Sequence, residues 1–291
     1  MTTTPPAHPA PAQRPRASGR WVANALTYLM LGAGALLMVA PFVFSVMTAL
    51  KTPRQFAVQP PLTPPDPVTV ENFTTLFGPT YNFVVPLAVT VQVVIVLVIG
   101  QMFSSILAAY AFAWLEFPGR DVLFWAYLST LMIPAVVVII PLYTMMVQAG
   151  LKNTFAGLVV PFLLGSPYAI FLLRENFRST PREIMDAATV DGAGPLRRLW
   201  YVLLPMNVPI IATLLLITVV SQWNNFMWPS IIAPRPEWNV LTVATAALQT
   251  QYSGNWTLVM SATTIALAPL LILFVVFQKH ITRSIGITGV R

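Results

Sequence analysis

Polar side chains are scarce in this chain, so the few that fall inside apolar runs carry most of its chemical information. The segment Ser221-Gln222-Trp223-Asn224-Asn225-Phe226-Met227-Trp228-Pro229 interleaves amides with aromatic rings. Amides bond hydroxyl groups and an aromatic face covers the apolar side of a pyranose, which makes Gln222, Trp223, Asn224, Asn225 and Trp228 candidate sugar-contacting residues. The same residues have a plainer reading, because Trp gathers at membrane interfaces and amides hydrogen-bond neighbouring helices. A second polar set, Gln92, Gln101, Ser104 and Ser105, lies in another apolar run, and Gln92 joins the candidate pathway residues. In hydrocarbon each such group must find a partner or line a wet cavity. Bond-making chemistry is poorly supplied. The chain has no Cys, its two His (His8 and His280) lie near its ends, and no Gly-x4-Gly-Lys-Ser/Thr, His-Glu-x-x-His or Gly-x-Ser-x-Gly pattern occurs. These absences point to a non-catalytic chain that binds no cofactor and no metal itself.

The longest polar interruption, residues 179–205, reads STPREIMDAATVDGAGPLRRLWYVLLP. Thr180 offers an N-cap hydroxyl, Pro181 suits the first helical position, and Glu183 follows in the first turn. The predicted helix runs through Ile184, Met185, Ala187 and Ala188 and stops where Asp191-Gly192 supplies a residue able to take positive φ. Gly194-Pro195 opens a second helix carrying Arg197 and Arg198, and Leu204-Pro205 leads into the next apolar run. A short surface helix with an Ala-Ala face, held between membrane spans, suits docking to a partner outside the bilayer.

Asp186-Ala187-Ala188, then Gly192 after three residues, then Val202-Leu203-Leu204-Pro205 after nine more, resembles the EAA motif, E-A-A-x3-G-x9-I-x-L-P. That motif belongs to the permease subunits of bacterial ABC importers; Asp186 stands where it writes Glu and Val202 where it writes Ile. The resemblance implies an all-α, six-span, type I permease fold of the carbohydrate-uptake group. It makes the segment a coupling helix seated in a cleft of a cytoplasmic ATPase, with Glu183, Asp186, Ala187, Ala188, Asp191, Gly192 and Pro205 as coupling residues. The implied partners are a second homologous permease, two copies of the ABC ATPase, an extracytoplasmic substrate-binding protein and a sugar-type substrate. ATP and Mg would be held by the ATPase. Trp223-Asn224-Asn225-Phe226-Met227-Trp228-Pro229 is similar to a segment typical of carbohydrate permeases. The loop before the last span, Gln251, Tyr252, Ser253, Gly254 and Asn255, would reach into the binding protein, or else serve as a plain connector. Rival readings are a permease for another solute, a secondary carrier, and a membrane scaffold or sensor that recruits a cytoplasmic protein.

The elements that must position these groups follow from composition. Hydrophobic residues make up 56%, charged residues 9%, and mean hydropathy is +0.73; a soluble domain carries about 25% charged residues. Residues 1–21 read as a disordered Pro/Ala-rich tail. Residues 22–82 hold a first span, Val22 to Leu50, flexed near Pro41, and a Pro-dense loop that cannot be helical. Residues 83–278 form a core of spans at Phe83–Ala113, Val122–Val147, Phe155–Leu173, Met206–Trp228 and Thr257–Phe277. Residues 229–256 are expected to include a partly buried re-entrant helix, and 279–291 to be a tail. No Asp, Glu, Lys or Arg falls inside these spans, whereas ion-coupled carriers usually need one; energy supplied by a partner fits better. Of the sixteen Lys and Arg, twelve gather on one side and only Lys51, Arg54, Lys152 and Arg235 on the other. The positive-inside rule then places both termini and the 179–205 segment in the cytoplasm, and the resemblance implies that the membrane is the bacterial inner membrane. The net charge of +7 is met by the anionic leaflet, with no need for nucleic acid. Arg174, Glu175 and Arg178 read as interfacial anchors or as part of a docking surface.

Overall fold

Long apolar runs can satisfy their backbone in lipid only as helices, and helices dominate the computed structural model, which describes residues 17–251 and 255–286. The helices, in order, are α1 (Ala17–Ala49), α2 (Pro53–Val58), α3 (Glu71–Phe77), α4 (Val84–Trp114), α5 (Arg120–Ser129), α6 (Ala135–Gln148), α7 (Phe155–Val159) and α8 (Pro167–Arg178). Then come α9 (Arg182–Val190), α10 (Pro195–Arg198), α11 (Leu204–Met206), α12 (Val208–Trp223), α13 (Met227–Ile232), α14 (Leu241–Gln251) and α15 (Trp256–Gly286). Four segments are long and apolar enough to cross a bilayer: Trp21–Ala49, Val84–Trp114, Val208–Ile232 and Trp256–Gln278. Two bent pairs, α5 with α6 and α7 with α8, raise the number to six if each counts as one span.

The bends correct the expected spans. Residues 122–147 do not form one helix. The chain breaks at Ile133-Pro134 and turns by 100°, because proline disfavours helical geometry in the residue before it and Ile133 is extended at φ −84°, ψ 116°. Pro141, by contrast, is carried inside α6. The expected span 155–173 is bent by 41° at residues 163–166, and Ser166 caps α8 by accepting from the Ala169 N–H at 3.2 Å. The helix α12 ends at Trp223 rather than continuing to Trp228, and α13 starts after a short break. Both termini also differ. Residues 1–16 of the proposed tail lie outside the described residues, but α1 already begins at Ala17. The helix α15 carries Pro269 inside it and continues through residues 279–286, since no further Pro or Gly falls before Gly286. The loop after α2 is non-helical while the prolines last, and α3 starts at Glu71.

The core forms around α4, which packs on α8, α12, α14 and the turn Pro236–Trp238. At the motif-bearing end, Tyr110, Leu173, Phe177, Met185, Leu199, Leu203 and Leu214 bury together. At the opposite end, Trp223, Leu241, Leu248, Leu258 and Ala262 pack with Leu76 and Phe83. A partly buried helix does form within 229–256: α14 packs against α4 and α15, with Leu241 and Leu248 buried. Polar staples join the layers. The Thr90 hydroxyl accepts from the Leu241 N–H at 2.8 Å, and the Trp114 indole donates to the Phe177 carbonyl at 3.1 Å. The helix α1 rests on α15, and nearly all its residues from Trp21 to Val43 are exposed.

Candidate functional site: a short surface helix and a polar break

The segment 179–205 is built much as its residues dictate, with one correction at its start. The N-cap of α9 is Pro181, and no side chain caps that end. Thr180 does not cap; it is buried, and its hydroxyl accepts from the Asn207 amide at 3.4 Å, while that amide also donates to the Leu203 carbonyl at 2.8 Å. Asn207, at the head of α12, therefore holds the entry to α9. Glu183 sits in the first turn, where the helix dipole favours a carboxylate. The other end follows the glycine logic fully. Gly192 takes φ +78°, its N–H bonds the Thr189 carbonyl, and the Ala193 N–H bonds the Ala188 carbonyl. That pair of bonds is a Schellman stop. A side chain at Gly192 would meet nothing within 4 Å, so only its backbone conformation asks for glycine.

One residue seats this helix. Met185 is 1% exposed and packs with Phe177, Leu199 and Leu203. Ala188 is half-buried, whereas Glu183, Asp186, Ala187, Asp191 and Gly192 are exposed. Below it the chain forms a π-helical turn, Leu199–Leu203, before α11. Pro205, exposed in α11, explains that widening: it has no N–H to offer and its ring crowds the carbonyl of Tyr201. Arg174 is neither a snorkelling anchor nor a docking group. Its side chain is 7% exposed and bonds the Phe112 carbonyl (3.3 Å), Glu175 (2.8 Å) and Asp121 (3.4 Å), with its guanidinium over the Phe124 ring at 3.9 Å. It clamps α4, α5 and α8 together.

The amide-aromatic segment forms the break between α12 and α13, and the break sorts its residues into two groups. Trp223 and Trp228 are 6% and 3% exposed. The Trp223 indole donates to the Ala266 carbonyl and the Trp228 indole to the Gly157 carbonyl, both at 3.0 Å. Both are packing pegs with no free face for a sugar, which corrects their reading as pathway residues. Asn224 is exposed, and Gln222 and Asn225 are half-buried. The Gln222 amide points to the Gln101 side chain at 3.4 Å, and Gln101 in turn donates to the Phe162 carbonyl at 2.7 Å. Gln92 lies on the other side of α4, in an exposed stripe with Ile95, Ile99 and Phe103. In the loop before α15, Tyr252, Ser253 and Gly254 lie outside the described residues. Gln251 ends α14, and the Asn255 side chain accepts from the Leu258 N–H at 3.2 Å, capping α15.

Two buried groups escaped sequence reasoning. Lys51, counted among the four cations of the sparser side, is 1% exposed with its ammonium on the Pro61 carbonyl at 3.2 Å. Asn72 donates to the Ala49 and Lys51 carbonyls at 2.8 and 2.7 Å and accepts from the Thr257 hydroxyl at 2.9 Å. The sole signal available was a polar residue next to a helix end.

Among known proteins, the profile of the family described as the binding-protein-dependent transport system inner membrane component matches residues 100–287. The chain belongs to this family. It is similar to the arabinooligosaccharides transport system permease protein AraQ of Halalkalibacterium halodurans, 29% identical over 227 residues that cover 78% of this chain and 81% of the relative. The sn-glycerol-3-phosphate transport system permease protein UgpE of Brucella suis is 29% identical over 283 residues, covering 91% and 97%. In three dimensions the chain matches a bacterial ABC transporter involved in the import of the acidic polysaccharide alginate, with TM-score 0.80 over 92% of this chain and 99% of that one. At 23% identity this likeness speaks for the fold. The chain is thus an all-α, multi-pass inner-membrane transport component with a type I ABC permease fold.

Proposed function

We propose that this chain is one of two membrane permeases in an ATP-driven importer, carrying a sugar or sugar derivative and coupled through α9 to a separate ATPase. The observation that carries the reading is the construction of α9. It is a nine-residue helix with a hard glycine stop, joined to the bundle through Met185 and presenting Asp186, Ala187, Asp191 and Gly192 outward. A rigid element that is exposed along one side and seated on the other is what a lever between two proteins requires. The chain would bind no cofactor, and ATP with Mg would sit on two copies of the ATPase partner. An extracytoplasmic binding protein would deliver the cargo, with both termini and α9 on the cytoplasmic side.

A carbohydrate cargo is supported by the relatives, whose named substrates include arabinooligosaccharides and sn-glycerol-3-phosphate. It is also supported by the amides Gln92, Gln222, Asn224 and Asn225, which offer hydroxyl partners without a charge. ATP-driven closure of the ATPase would move α9, rock the spans and open the pathway to the binding protein; hydrolysis would reset it. The test is co-purification from the native membrane in mild detergent, wild type beside Gly192→Asp. Wild type should bring down a Walker-motif ATPase and a second permease, and Gly192→Asp should insert normally but lose the ATPase. Recovery of the chain alone, or undiminished ATPase with the variant, counts against the reading.

A further inference from the structure

At the motif-bearing end, beside the docking face, lies an open cavity of about 360 Å³ into which four arginines project: Arg120, Arg178, Arg182 and Arg198. Glu116 and Asp186 share its wall, yet neither forms an ion pair among the described residues. The salt bridges among the described residues join Arg120 and Arg174 to Asp121, and Arg174 to Glu175. Arg178 and Arg182 are exposed, with no carboxylate of the described residues within 4 Å. Arg198 rests one nitrogen on the Thr189 hydroxyl at 2.9 Å and lies against the Tyr110 hydroxyl, while its buried Nε has no well-formed hydrogen bond among the described residues. Arg182 also occupies the first position of α9, where the dipole repels a cation and no side chain caps the N–H groups.

Four arginines against the two carboxylates of the wall leave an excess of positive charge, which, beside an uncapped helix start, an anion relieves. Guanidinium groups are the forked donors that phosphate oxygens accept best. The cavity lies where α4 and α8 end, at Trp114 and Arg178, which is the headgroup level if these helices span the bilayer. Basic pockets of this kind between membrane helices take anionic headgroups. We infer that the cavity binds a phosphate-bearing anion, supplied either by an anionic lipid headgroup or as free phosphate. Because Arg178 ends α8 and Arg182 begins α9, one anion held by both ties the docking helix to the bundle. That consequence for coupling rests on the function proposed above; the binding itself does not.

The full chain, purified in mild detergent with the subunits it retains, is the material for the test. Arg178→Gln/Arg182→Gln is compared with wild type and with Arg54→Gln, an exposed control at the opposite end. Native mass spectrometry after addition of phosphatidylglycerol or phosphatidylcholine reads lipid retention; melting in inorganic phosphate against equal ionic strength of chloride reads the soluble source. Wild type and Arg54→Gln should retain phosphatidylglycerol over phosphatidylcholine, or gain about 3–6 °C in phosphate. The double variant should lose at least about tenfold of that preference, two charged contacts being gone. Retention of phosphatidylglycerol alone assigns the lipid source, and a phosphate shift alone assigns the soluble one. Equal behaviour of all three proteins, or a shift that chloride reproduces, overturns the site. ATPase co-purification is read in the same samples, so loss of anion preference with the ATPase still bound leaves the proposed function untouched, and the reverse pattern separates the two claims equally well.

Discussion

At Arg174 a single guanidinium holds the ends of three helices, and its replacement is the sharpest test of how the docking end is built. Removing it strands the Phe112 carbonyl and deletes bonds to Glu175 and Asp121 together with the Phe124 ring contact. Both carboxylates are substantially exposed, so water reclaims them, and the loss is dominated by the buried carbonyl and the ring contact. Arg174→Leu should cost about 2–3 kcal/mol, read as a lower melting midpoint of the detergent-solubilised chain. Arg174→Lys should recover less than half of this, because an ammonium cannot reach those partners in the fork geometry. This role was not legible in the sequence, which shows an arginine at a helix end and not whether water or protein surrounds it. Gly192 was legible, because an Asp-Gly pair after an apolar turn has one economical use. Thr180 was misread for the converse reason: a hydroxyl before a helix is a good cap only if nothing inside competes for it, and Asn207 does. The two tryptophans were misread likewise, since both an interfacial belt and a sugar platform select the same residue type as a core peg.

Elements here are bent by proline and brought together by glycine. The long runs were legible from apolar length alone, but the 100° turn at Ile133-Pro134 and the intact helix across Pro141 were not. Both prolines impose the same local penalty, and the tertiary setting decides which becomes a corner. Close approach is likewise visible only in three dimensions. A Cβ on Gly165 would lie 2.4 Å from the Ser105 hydroxyl and 2.8 Å from its backbone nitrogen, so the bend before α8 meets α4 backbone to backbone, as small residues permit. Gly165→Val should therefore force α8 away from α4 and destabilise the bundle by about 2 kcal/mol or more. Faster trypsin cleavage at Arg178 and Arg182, with membrane insertion unchanged, would show it. Met185→Ala tests the seat of α9 itself. With Met185 1% exposed, truncation should cost about 2–4 kcal/mol, and hydrogen exchange should rise within 182–190 before it rises in α4.

On the scale of the whole molecule, the question is what covers the surface this chain leaves open. Nearly all of α1 from Trp21 to Val43 is exposed, and lipid suffices for its Leu and Val side chains. Lipid does not suffice for Gln92, whose stripe runs along the central helix of the fold and whose amide cannot be left unsatisfied in hydrocarbon. That stripe must face water or another protein. Because the chain has no cysteine, single substitutions give unambiguous reporters. Leu62→Cys, 77% exposed in the Pro-rich loop, should react with an impermeant maleimide in intact cells, and Val190→Cys, 88% exposed in α9, only after permeabilisation. Reversed labelling would turn the topology over and move the docking helix away from any cytoplasmic ATPase. Gln92→Cys then asks where the pathway lies. In the assembled transporter it should react from the aqueous phase and be protected by cargo with its binding protein, whereas Leu37→Cys, 77% exposed on α1, should stay unreactive in both conditions. Silence at Gln92 with labelling at Asn224→Cys would leave the amide break as the wet surface and make the Gln92 stripe a protein interface.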